Sequence, residues 1–182
     1  MLKNIIAISL FTMIANGAVA GNTKYELSFN GQPPQSLQIT SVSVMPSEDV
    51  AAETEVYDER DVTKMQEVLQ RKMLSGLQKS GLLADTGLRL ELIITELKPN
   101  RPTMAQYRSK PGLSFESIAL GGASVTGRLL DAEGNLVADI QFKWEENWIE
   151  QAYAATTWYD ARRAFDKLAR KLVRDLAATP AS

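Results

Sequence analysis

The residue types that most often carry chemistry are missing from this chain. Its 182 residues include no histidine and no cysteine. That excludes an imidazole base, a thiolate nucleophile, a disulfide framework and a zinc site of cysteines and histidines. Carboxylates, lysines and tyrosines remain for acid–base work. Two carboxylate groups stand close in sequence: Glu145, Glu146 and Glu150, and Asp58, Glu59 and Asp61. Facing carboxyls can hydrolyse a glycoside or hold calcium. Neither group has calcium-loop spacing or its turn glycine, so both read as surface charge. No nucleophile elbow, phosphate loop or dinucleotide glycine fingerprint occurs. The chain is therefore expected to be no enzyme, with no metal and no cofactor.

Residues suited to binding are better grouped. The segment 100–122 has no periodicity and holds Arg101, Tyr107, Arg108, Lys110 and Phe115. Cations beside aromatics suit an anion, a glycan or a partner strand, and long loops are often functional. A second group is aromatic: Phe142, Trp144, Trp148, Tyr153, Trp158 and Tyr159, which include all three tryptophans. Phe142 and Trp144 fall on the apolar side of a strand, and Trp158 opens a helix. Trp148 and Tyr153 lie between those elements and are the expected surface candidates. The last helix carries a cationic face from Arg162 to Arg174, interrupted by Asp166. It reads as solvated, so membrane contact is not expected. With 20 Lys and Arg against 22 Asp and Glu, the net charge of −2 gives no case for nucleic acid.

These residues need elements to position them. Residues 21–35 read as a flexible or edge-strand lead-in, with Tyr25, Leu27 and Phe29 alternating before the turn residues 30–34. A strand is predicted over 36–45, and an acidic loop over 50–60. A helix follows over 61–80. Met65, Val68, Leu69, Met73 and Leu77 form its stripe, Asp61 its N-cap and Gly81 its stop. A strand over 88–97 alternates Leu88, Leu90, Leu92 and Ile94 with polar residues. A hairpin over 123–130 and 136–144 turns at 131–135, where Gly134 and Asn135 tolerate positive φ. A second helix is predicted over 157–178, capped by Thr157 with Asp160 three residues on. Two striped helices and a few strands predict a two-layer α/β (α+β) sandwich: a small mixed sheet with both helices on one face. Residues 36–178 form this single domain, and 179–182 a frayed tail.

The first twenty residues read as a signal peptide. Lys3 precedes the apolar stretch 5–15, and Ala18-Val19-Ala20 is a small-residue cleavage site. The run is shorter than the roughly 20 residues a spanning helix needs. The expectation is a soluble periplasmic or secreted protein, cleaved near Ala20, with no lipid anchor because no cysteine follows the cleavage site.

The order of elements resembles a family of small bacterial envelope proteins, domain of unknown function 3313, most of them lipoproteins. The resemblance spans most of 36–177. It rests on the strand 37–45, the helix 68–77, the strand 88–97, the pair Gly121-Gly122, the phrase 130–136 and the closing helix opened by Trp158. The architecture is also similar to the amino-terminal domain of the translocation protein TolB and to penicillin-binding-protein activator lipoproteins. These resemblances imply binding of envelope partners and no known chemistry. The chain departs from the lipoprotein pattern in lacking the lipidated cysteine.

The leading expectation is a non-catalytic adaptor. It would engage another envelope protein, or a copy of itself, through a sheet edge or the 100–122 loop. The second reading is a small-ligand or glycan binder using the aromatics of 142–159. The third is a carboxylate-based hydrolase.

Overall fold

Alternation of apolar and polar residues decides the sheet. The computed structural model describes residues 23–34, 37–114, 116–152 and 155–179. Five strands form one mixed sheet: β1 (Lys24–Phe29), β2 (Ile39–Pro46), β3 (Leu88–Lys98), β4 (Gly122–Leu130) and β5 (Leu136–Glu145). Their spatial order is β1-β5-β4-β3-β2. Only β2 and β3 run parallel; the other pairs are antiparallel. The expected sandwich is therefore present, and the lead-in supplies its edge strand.

Both long helices, α2 (Glu59–Lys79) and α4 (Tyr159–Ala178), cover one face. Their stripes meet Leu90, Leu92, Ile94, Val125, Ile140 and Trp144, all buried. Burying each large apolar side chain contributes about 1.5–3 kcal/mol. The other sheet face carries exposed Arg89, Thr126, Arg128, Asp139 and Gln141. It stays wet, and cross-strand pairs such as Arg128–Glu91 at 3.1 Å lie on it. The pairing of β3 with β4 shifts register between Ile94 and Glu96. That bulge returns Leu97 to the core side, where plain alternation would not put it.

Several boundaries differ from the sequence reading. The acidic stretch 50–60 is no simple loop. Ser47 accepts from the Val50 N–H at 3.3 Å and starts a short helix, α1 (Glu48–Ala52). Val50 and Tyr57 are buried, and the Tyr57 hydroxyl donates to the Leu97 carbonyl at 2.6 Å. The N-cap of α2 is Asp58, with no side-chain cap bond, so Asp61 lies inside the helix. In the hairpin turn Gly134 alone takes positive φ; Asn135 donates its N–H to the Asp131 carboxylate at 2.7 Å.

The two sheet edges are unlike. On α2, Gln66 and Gln70 sit one turn apart and donate to the Val44 and Val42 carbonyls of β2, at 3.0 and 2.8 Å. Two outward acceptors of that edge are thus taken by the protein's own side chains. On β1, the bond from the Asn30 N–H to the Val137 carbonyl fixes which residues face β5. By alternation, Tyr25, Leu27 and Phe29 turn their backbone groups outward. Residues 1–20, expected from sequence to be a signal peptide, and the tail residues 180–182 lie outside the described residues.

Candidate binding site

At one end of the sheet two connections meet, the segment from β3 to β4 and the segment from β5 to α4. A knot of buried polar groups ties them. Asn100 is fully buried and Asp160 is 1% exposed. The Asn100 amide donates to the Asp160 carboxylate and to the Ala119 carbonyl, and its oxygen accepts from the Asp160 N–H at 2.9 Å. The Gly121 N–H donates to the same carboxylate at 3.3 Å. Backbone bonds from Asn100 to Thr157 and from Glu146 to Gly121 complete the tie. Close approach demands the glycine pair. A Cβ on Gly121 would meet the Asn100 side chain at 2.7 Å, and one on Gly122 would meet the Trp144 carbonyl at 2.3 Å.

The helix start differs from expectation for the same reason. Trp158 stands at the N-cap of α4 with no side-chain cap bond, and Thr157 does not cap. Asp160 serves the knot instead of a capping box. Trp158 is buried at the start of the helix it was expected to open, and its indole N–H donates to Asp61 at 3.3 Å.

Above the knot, the segment read as an irregular loop contains a helix, α3 (Met104–Ser109). Thr103 and Gln106 form a capping box, each side chain satisfying the other's backbone N–H. The Thr103 hydroxyl also donates to the Val56 carbonyl, docking α3 on the turn after α1.

The candidate residues separate on this frame. Arg101 is half-buried and donates from Nε to the Ala155 carbonyl at 2.8 Å. With Tyr107, Met104, Thr157 and Trp158 it lines a groove of about 340 Å³. Arg108 is occupied by an ion pair with Asp58. Lys110 is exposed and borders a smaller depression of about 190 Å³, shared with Arg101. Trp148 is 57% exposed, with its backbone N–H donating to Glu146 at 3.3 Å. Phe115 and Tyr153 lie outside the described residues. Sequence reasoning missed Met104, which is 56% exposed, and the knot itself. The capping-box spacing of Thr103 and Gln106 was the signal for α3. Asn100 and Asp160 are too far apart in sequence to have left one.

The carboxylate trio does not face into a cleft. Glu145 pairs with Lys98 at 2.8 Å, whose ammonium it pushes above the usual lysine range. Glu150 is exposed. Glu146 is buried and accepts from Arg163 at 2.6 Å. Burial alone would raise its pKa; the Asn147 N–H, the Arg163 guanidinium and the Trp148 N–H outweigh that and lower it. Glu146 is thus held as an anion and does not suit a proton donor. Among the described residues no group of three or more carboxylates gathers as a metal site. The cationic face of α4 is largely spent inside the molecule. Arg163 and Lys167 lie over the Trp144 ring at 5.1 and 5.0 Å, and Lys171 over Tyr25 at 4.6 Å.

No family model matches the chain, and no curated protein matches it. Among solved structures it is similar to PelC from Paraburkholderia phytofirmans, whose crystals contain a dodecamer. A single-substitution variant of PelC shares 13% identity, over 86% of this chain and 98% of that one, with a TM-score of 0.45. PelC itself shares 9% identity, over 88% of this chain and 99% of that one, with a TM-score of 0.44.

Proposed function

We propose that the chain is a non-catalytic binding module of the cell envelope, which docks another protein on the end of its sheet. One observation carries the reading. Of six exposed large apolar side chains among the described residues, Met104, Trp148 and Ile149 belong to the two connections that meet there, and Tyr159 is the first residue of α4, which the second connection enters. Exposed aromatics on a rigid base are the usual anchors of an interface. The knot supplies that base, and Arg101, Tyr107 and Lys110 supply a polar rim. The leader 1–20 and the resemblance to the envelope family support the location. Among the described residues no helix is long and apolar enough to cross a membrane.

The test is photo-crosslinking in intact cells, with the reactive residue at Tyr107 and, separately, at Trp148. A discrete crosslinked band at either site is expected and names the partner by mass spectrometry. Folded, exported protein with no band at either site overturns the reading.

The groove at Arg101, Tyr107 and Trp158 favours a second reading, a small-ligand or glycan site. Its volume, about 340 Å³, falls at the low end for such sites. Tryptophan fluorescence that stays unchanged across envelope saccharides would remove it.

A further inference from the structure

A different surface concentrates charge. A groove of about 800 Å³ runs between α2 and α4, lined by none of the residues of the aromatic end. Its floor is apolar, from Ala169 and Val173. Its walls hold five cations, Arg71, Lys72, Lys79, Arg170 and Arg174, against the single carboxylate Asp166. Lys72 is neutralised by Asp166, and Arg174 by Asp175. Arg71, Lys79 and Arg170 are exposed and form no ion pair among the described residues. A chain of net charge −2 thus concentrates unpaired positive charge in one groove.

The balancing negative charge is also concentrated. Residues 48–61 carry seven carboxylates against one cation, Arg60. Helix dipoles account for Glu48 and Asp49 at the start of α1 and for Glu59 and Asp61 at the start of α2. They do not account for Glu53 and Glu55. These two sit in the turn between the helices, exposed, and form no ion pair among the described residues. The acidic turn precedes the first residue of α2, and the groove lies along its second half. At about 1.5 Å per residue the two lie too far apart to meet within one molecule.

We infer that the groove between α2 and α4 receives the acidic segment 48–61 of a second copy of this chain. Each copy then offers one acidic and one basic surface. Two copies close as a pair if a two-fold axis relates the contacts, and a larger assembly grows if none does. This inference is independent of the aromatic end of the sheet. Its failure leaves the crosslinks from Tyr107 and Trp148 untouched.

The experiment is sedimentation of the wild type and two charge-reversed variants. One is Arg71→Glu with Arg170→Glu; the other is Glu53→Lys with Glu55→Lys. All four positions are exposed, and circular dichroism checks the fold. The wild type is expected to self-associate at about 20 mM salt and to dissociate near about 500 mM, where screening is strong. Each variant alone is expected to associate at least roughly tenfold more weakly, and an equimolar mixture to reassemble, because the reversed surfaces complement each other. Neutral Arg71→Gln with Arg170→Gln should weaken association without rescue by the mixture. A wild type monomeric at low salt overturns the inference. So do variants that associate like the wild type, or folded monomeric variants that fail to combine.

Discussion

At Asp160 a single carboxylate accepts from Asn100 and from the Gly121 N–H and pairs with Arg163 at 3.3 Å. Removing it strands a buried amide and a buried N–H. Asp160→Ala is expected to cost about 3 kcal/mol. The urea midpoint should fall with an unchanged slope, and a loss within measurement error would show that the knot does not hold the end of the sheet. Glu146 gives a pH-dependence. Its folded-state carboxyl lies below the ordinary glutamate range, held there by the Asn147 N–H and the Arg163 guanidinium against the effect of burial. A depressed carboxyl contributes stability that is present above the unfolded value and lost as pH falls through the folded one. Wild-type stability should therefore drop below about pH 4.5, and Glu146→Gln should flatten that drop while starting lower near neutral pH. Parallel curves for the two proteins would refute the assignment. Tyr57 is pushed the other way, to about 12, by burial and by neighbouring Glu53.

At the scale of elements, β2 is sealed by α2. Gln66→Leu with Gln70→Leu would free the Val42 and Val44 carbonyls and leave that edge unprotected. The double variant is expected to aggregate faster on mild heating than the wild type, read by light scattering. Equal aggregation would mean that the glutamines only tether the helix. Most elements were legible because their periodicity is local. Val125 and Leu129 oppose Phe142 and Ala138 in the paired hairpin, as alternation required. The start of α4 was not legible. Thr157 and Asp160 have good capping spacing, but Asp160 is drawn to Asn100, whose buried amide has the stronger need.

At the scale of the molecule, the question is which surface is left to bind. The open sheet face is charged and internally paired, one edge is sealed, and the exposed aromatics gather at one end. Trp148→Ala with Tyr107→Ala is expected to leave the melting temperature within about 2 °C, because surface truncations away from buried networks cost little. The same variant should abolish association with the partner, read by co-purification. Retained association with an intact fold would move the interface elsewhere.

The two striped helices, the alternating strands and the absence of histidine and cysteine chemistry could be read from the chain before it was folded. These depend only on residue type and local period. The sequence also marked Trp148 as a surface tryptophan, since that residue lies outside either period. Which edge is open, where the groove runs and what Asp160 does emerged from packing. Each depends on contacts between residues tens of positions apart, such as Asn100 with Asp160 or Gln70 with Val42. No local pattern encodes such a pair, because its partners become neighbours only when the sheet and its helices have packed.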